Sequence, residues 1–284
     1  MIAVTGATGK LGRLVIDTLL ETVNPNEIVA LVRDPLRAED LGAKGVNVRQ
    51  ADYNKPETLH SALVGVQRLL LISSSEVGQR KAQHRAVIDA AKSSGVQLLA
   101  YTSILHADTS TLELAVEHRD TELALVESGL NYVMLRNGWY SENYTASVSP
   151  AVEHGAILGC AQEGRISSAA REDYADAAAV VLTSEGQAGK VYELAGDENY
   201  SLSELAAEVA KQSGKTVAYN DLPREQYKIA LIGMGLPEGL AELLADSDSA
   251  AAKGDLFDES RQLSQLLGRP TIPIAQSVST ALKH

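Results

Sequence analysis

The 284-residue chain contains a single cysteine, Cys160. An intrachain disulfide and a cysteine-based zinc site are therefore excluded. Aromatic residues supply only 4% of the composition, so the core has to be built from Leu, Val, Ile and Ala. No apolar run approaches the roughly 20 residues of a bilayer-spanning helix, and no run of like charge is long enough to form a tail. Basic residues are in the minority, 25 against 37 acidic, which gives a net charge of −12. A surface of that sign repels nucleic acid and anionic lipid, and neither is expected as a partner. The histidines (His60, His84, His106, His118, His154 and His284) show no metal-ligand spacing. H-E-x-x-H, EF-hand and G-x-S-x-G patterns are absent, so no metal is expected. The first apolar run begins at Ile2, which leaves no signal peptide before it; a cytoplasmic protein is expected.

What is present is a regular alternation. Apolar residues make up 45% of the chain. Short apolar runs at Ile2–Thr5, Ile28–Val32, Val46–Ala51, Arg68–Ser73, Val96–Thr102 and Tyr132–Leu135 read as strands. Between them lie helical patterns, among them Lys55–Val64 with Asn54 as its cap, Gln83–Ser94 and Leu112–Ser128. Strands without polar alternation, separated by helices, predict a parallel sheet covered on both faces. The fold class is therefore α/β, a Rossmann-type doubly wound sheet. After Asn137 the strands become short and scattered, which predicts a core over 1–136 and a smaller α/β lobe over 137–284. The pattern Tyr174–Leu182 followed by Val191–Leu194 is expected to return to the main sheet.

Between the first strand and the first helix lies Thr5-Gly6-Ala7-Thr8-Gly9-Lys10-Leu11-Gly12, with glycine at every third position. A dinucleotide pyrophosphate needs such a turn: a tight bend, close backbone approach, and a helix N-terminus offering free N–H groups. Gly6, Ala7, Thr8, Gly9, Lys10, Leu11 and Gly12 are the expected binding segment. The second strand ends in Arg33, where NAD enzymes usually place a carboxylate for the ribose 2′-OH. A guanidinium there pairs with a 2′-phosphate, which favours NADP(H); the plain alternative is a solvated surface arginine. Asp52 and Tyr53 follow the third strand, where a carboxylate meets the adenine or simply closes a turn. Ser73, Ser74 and Ser75 end the fourth strand, where their hydroxyls are expected either to bond the nicotinamide ribose or simply to satisfy the strand end.

TGATGKLG, Arg33, ISSSEVGQR (Ile72–Arg80), AYTS (Ala100–Ser103) and LRNGWYSENY (Leu135–Tyr144) together resemble the NmrA-like group of atypical short-chain dehydrogenases, over the whole chain. The resemblance is to its NADPH-dependent quinone reductases, and implies hydride transfer to a quinone without a flavin. The parent superfamily uses a Tyr-x-x-x-Lys pair, but here Leu114 and His118 stand at those positions. Ordinary alcohol chemistry is thereby disfavoured, whereas a quinone accepts hydride without a strong protein acid. The resemblance further implies that Asn137, Gly138, Trp139 and Tyr140 border the nicotinamide. Asn137 is expected to bond the carboxamide or a quinone oxygen, and Tyr140 to stack on or donate to the acceptor. Their alternative role is packing. Gln79 is expected to reach the cofactor or lid the site, unless it is an ordinary polar loop residue, and Ser103 is expected to line the site. His118 is expected either to donate a proton or hold a ribose hydroxyl, or to be a structural or solvated residue, as a lone helical histidine more often is. Two other functions remain open: an NADP(H)-binding redox sensor without turnover, and a reductase of another conjugated acceptor such as a dye or enone. The expected assembly is a monomer or homodimer.

Overall fold

The computed structural model describes residues 1–283; His284, named above among the histidines, lies outside the described residues. The elements in chain order are β1 (Ile2–Val4), α1 (Lys10–Leu20), β2 (Ile28–Val32), α2 (Glu39–Ala43), β3 (Asn47–Gln50), α3 (Pro56–Ala62), β4 (Arg68–Leu71), α4 (Arg80–Ser93), β5 (Leu98–Ile104), α5 (Glu113–Ser128) and β6 (Tyr132–Asn137). There follow α6 (Ser141–Thr145), α7 (Val148–His154), β7 (Ala156–Gly159), α8 (Arg171–Thr183), β8 (Val191–Leu194), α9 (Leu202–Ser213), β9 (Ala218–Asp221), α10 (Arg224–Gly233), α11 (Glu238–Ala251), α12 (Gln262–Leu267) and α13 (Ile274–Ala281).

The chain forms two compact units. The first comprises Met1–Ala107, Val116–Asn137 and Glu172–Tyr192; the second comprises Asp108–Ala115, Gly138–Arg171 and Glu193–His284. The main sheet has seven strands in the order β3-β2-β1-β4-β5-β6-β8. The order reverses at β1: Val4 lies in register with Ala30 of β2 on one side and Leu70 of β4 on the other, both parallel. β2 (IVALV) and β5 (LLAYTSI) are buried at every position. That burial is why both strands read as apolar runs without alternation. α1 buries Leu11, Val15, Ile16 and Leu19 at helical spacing. Leu59, Leu63, Leu69, Leu71, Ile88, Leu99, Leu125 and Met134 join one aliphatic core. β8 returns to the sheet as the sequence predicts, and Lys190 O accepts from Met134 N. One local expectation fails. α3 begins at Pro56 without a side-chain cap. Asn54 does not cap it; its N–H instead donates to Asp52 Oδ1 at 3.0 Å, closing a turn before the helix.

The second unit holds a two-stranded parallel sheet, β7 with β9, in register from Ala156↔Ala218 to Gly159↔Asp221. α9 opens on a reciprocal capping box: Glu204 N donates to Ser201 Oγ, and Ser201 N donates to the Glu204 carboxylate. A smaller core joins Cys160, Tyr227, Leu231, Ala241 and Ala245. Among the described residues no helix is long and apolar enough to cross a membrane, and no group of His, Cys, Asp or Glu could hold a metal.

Candidate functional site

In an open α/β sheet ligands bind beyond the carboxyl ends of the strands, where the strand order reverses. Here that point lies between β1 and β4, and both following loops meet there. Gly6 turns at φ +57°, and a Cβ on it would touch Ile72 at 3.7 Å. Gly9 N donates to Gly6 O at 2.8 Å, which folds the turn back on itself. Gly9 is also the N-cap of α1, whose first turn carries no acidic residue. Its leading N–H groups thus suit an anion, and Lys10 stands exposed beside them. Gly12 is the most constrained of the three: a Cβ there would lie 2.4 Å from Gly6 O and 2.9 Å from Ala7 Cα. Ala7 and Leu11 are buried and anchor the turn; Thr8 is half-buried.

Tyr53 comes in beneath this turn. Its hydroxyl donates to Ile72 O (3.0 Å) and accepts from the Thr5 hydroxyl (Oγ1 at 2.6 Å), while Ile72 N donates to the same Thr5 Oγ1. Tyr53 therefore braces the ends of β1 and β4 against each other, and burial raises its phenol above the ordinary value. The Asp52 carboxylate accepts the Asn54 N–H, the turn-closing role. Arg33 follows β2 with its guanidinium two-thirds exposed, and Nη1 donates to Glu76 Oε1 at 2.9 Å.

The loop after β4 is held at nearly every residue. Ser73 N donates to Thr102 Oγ1, and Ser74 N donates to His84 Nε2, both at 2.9 Å. Ser74 O accepts from Arg80 Nε at 2.6 Å, and Ser74 Oγ accepts from Glu76 N. Gly78 N donates to Glu117 Oε1 at 2.9 Å. Ser75, Val77, Gly78 and Gln79 are the exposed members. This lacing depends on a buried cluster that sequence reasoning missed.

In that cluster the tautomers follow from the partners. His84 Nε2 accepts from Ser74, so its Nδ1 carries the proton and donates to Thr121 Oγ1 at 2.8 Å. Arg80 can only donate, so His118 Nε2 accepts from it at 3.3 Å, and Nδ1–H faces Tyr101 Oη at 2.7 Å. Burial, then the Arg80 charge, pushes His84 down to about 3 and His118 well below its ordinary value. Both are neutral at physiological pH. His118 is 3% exposed with both ring nitrogens on protein partners. Of the two expected readings of His118, proton donor or structural histidine, these partners favour the second: it touches Arg80, which in turn holds the serine loop. The only sequence signal was two charged residues, Glu76 and Arg80, inside ISSSEVGQR.

Ser103 is likewise turned into the protein: it donates to Glu122 Oε1 at 2.6 Å, and Glu122 holds Arg136 through both oxygens. Asn137 ends β6. It is 6% exposed, and its Oδ1 is buried with no hydrogen-bond partner among the described residues. An orphaned buried acceptor is costly, by about 1–3 kcal/mol, which marks it as a group awaiting a donor.

Gly138, Trp139 and Tyr140 belong to the second unit. Gly138 N donates to Leu194 O at 2.7 Å, and Trp139 is buried with its carbonyl accepting from Ala169 N. Tyr140 is half-buried, and the Arg171 guanidinium lies 4.7 Å from its ring centroid. One face of the ring is thus taken by a cation, and Arg171 is in turn held by Glu142. The same unit has its own cleft of about 850 Å³, lined by residues including Cys160, Asp221, Arg224, Asp246 and Lys253; none of the sequence-predicted site residues lines it. The Cys160 thiol there is pushed up to about 11 by burial, as expected of an inert buried cysteine.

The likeness to known proteins extends over the whole chain. The model of the NmrA-like family matches residues 1–279. Quinone oxidoreductase 2 of Escherichia coli (strain K12) is 58% identical over 279 residues, covering 98% of each chain. The crystal structure of an E. coli NADPH-dependent quinone oxidoreductase complexed with NADPH superimposes with a TM-score of 0.98 at 58% identity, covering 99% of this chain and all of that one. A Citrobacter sp. triphenylmethane reductase complexed with NADP(H) superimposes with a TM-score of 0.96 at 38% identity, covering 99% of this chain and 100% of that one. With its glycine turn at the strand-order reversal and a family match from end to end, the chain belongs to the NmrA-like family.

Proposed function

We propose that this protein is an NADPH-dependent quinone oxidoreductase that works without a flavin. The observation that carries the reading is the 58% identity, over 98% of both chains, to a quinone oxidoreductase. The residues present fit the cofactor. The cradle under Gly6 admits no Cβ at Gly12, the N-terminus of α1 is open to an anion, and Asn137 Oδ1 lacks a donor among the described residues. When bound, NADPH supplies the hydride.

The protein's part is to bind, orient and exclude water. Gly6, Ala7, Thr8, Gly9, Lys10, Leu11 and Gly12 receive the pyrophosphate, and Arg33 the 2′-phosphate. Asp52 and Tyr53 shape the adenine end, Tyr53 as the brace between β1 and β4. Ser73, Ser74, Ser75 and Gln79 line the middle, on a loop kept rigid by Arg80, His84 and His118. Asn137 turns its amide to the carboxamide or a quinone oxygen, and Gly138, Trp139 and Tyr140 shape the acceptor end. No buried acid is required. A quinone that gains a hydride becomes a hydroquinone anion, and water supplies the remaining proton.

Tyr140→Ala tests the acceptor end. Quinone turnover is expected to fall about tenfold, because a misplaced reactant loses orientation rather than affinity. NADPH binding, measured by titration, is expected to hold. Unchanged turnover would remove Tyr140 from the site.

A further inference from the structure

The Arg33 guanidinium has two suitors. It is the residue placed to receive the 2′-phosphate, and in this structure Nη1 already donates to Glu76 Oε1 at 2.9 Å. Glu76 is not a passing surface side chain. Its second oxygen accepts from Gln83 Nε2 at 2.8 Å, and its N–H donates to Ser74 Oγ at 3.1 Å. Gln83 is 2% exposed and sits on α4. Ser74 is fixed in turn by His84 and Arg80. The carboxylate is thus held near Arg33 from its own side of the cleft, and cannot simply drift into solvent when a phosphate arrives.

We infer that Glu76 sets the strength of the preference for NADPH over NADH by competing with the 2′-phosphate for Arg33. This rests on the reading of Arg33 given above. A phosphate at Arg33 must displace the carboxylate or lie beside it, and both weaken phosphate binding: the first by a lost ion pair, the second by like-charge repulsion. NADH carries no such phosphate. Its ribose 2′-OH can donate to a carboxylate, the arrangement that NAD enzymes obtain from an acid after the second strand. Glu76 supplies that acid from a different loop.

The test is the affinity for NADP⁺ and NAD⁺, by titration calorimetry at low and at high salt, for the unmodified protein, Glu76→Gln and Arg33→Ala. Glu76→Gln is expected to tighten NADP⁺ roughly three- to tenfold, the size of an exposed ion-pair effect joined to a nearby repulsion. NAD⁺ is expected to bind unchanged or more weakly, and the gain for NADP⁺ to shrink in high salt. Glutamine keeps the shape and a bond to Gln83, so a folding defect is not expected; the melting temperature checks this. Weaker or unchanged NADP⁺ binding, or equal tightening of both nucleotides, would overturn the inference. Arg33→Ala separates the two levels. If it leaves NADP⁺ binding intact, the reading of Arg33 itself fails. If it weakens NADP⁺ while Glu76→Gln does not tighten it, only the role of Glu76 fails.

Discussion

Arg33→Asp is expected to weaken NADPH binding about a hundredfold, since a hydrogen-bonded charge pair contributes about 1.5–3 kcal/mol and repulsion between a carboxylate and a phosphate adds to the loss. NADH is expected to stay within about threefold, because an aspartate at the end of the second strand can accept from a ribose 2′-OH. The fold is expected to tolerate the change. The side chain is exposed, its one ion pair among the described residues is with the part-exposed Glu76, and exposed pairs stabilise by about 1 kcal/mol or less. Parallel titrations with NADPH and NADH, with a melting curve as control, measure all three outcomes. An equal loss for both nucleotides would remove Arg33 from the 2′-phosphate site.

The largest effect on the scaffold is expected at Gly12. Alanine is the better helix former by about 1 kcal/mol, so propensity alone favours Gly12→Ala. Sterics oppose it more strongly. The new Cβ would fall 2.4 Å from Gly6 O, 2.9 Å from Ala7 Cα and 3.0 Å from Gly6 C, all backbone atoms that no rotamer can move. α1 would have to shift away from the turn, and such overpacking costs about 1–3 kcal/mol or more. Gly9 makes the internal comparison: its Cβ would meet only Gly6 O, at 3.1 Å. Gly12→Ala is expected to lower the melting temperature by roughly 2–10 °C and to weaken NADPH at least about tenfold, because the N–H groups lose their aim. Gly9→Ala is expected to do markedly less to stability. If the two variants melt alike, the close approach of α1 to the turn is not what holds the site together.

Much of the first unit was legible because its strands are buried on both faces. Ile28–Val32 reads as an uninterrupted apolar run and is buried throughout; the glycine turn announces itself by spacing. The second unit was harder to read, for a physical reason. α10 buries only Tyr227 and Leu231, and leaves Ile229 and Ile232 exposed, so its sequence shows no single apolar stripe. α7 buries only Val148 and Ala151. α6, of five residues, is too short to show a period. At the proposed site, the residues expected from sequence are those that speak by type: Gly6, Gly9, Gly12, Arg33 and Asn137. The buried relay is not among them. Arg80 and His118 are 38 positions apart, and Tyr101 and His118 17 apart, so only the fold brings them together. The same holds for Arg171 above the Tyr140 ring. A lone helical histidine reads as a donor or as a strut until its two nitrogens are assigned.

The central claim is flavin-free reduction of a quinone by NADPH, and it is tested most directly by mixing the purified protein, with no flavin added, with NADPH and 1,4-benzoquinone. Loss of the reduced-nicotinamide absorbance is followed, with the Arg33→Asp protein in parallel. Saturable oxidation that the substitution slows is the predicted result. Tight NADPH binding with no oxidation, across several quinones, would contradict it and leave a nucleotide-binding protein without turnover.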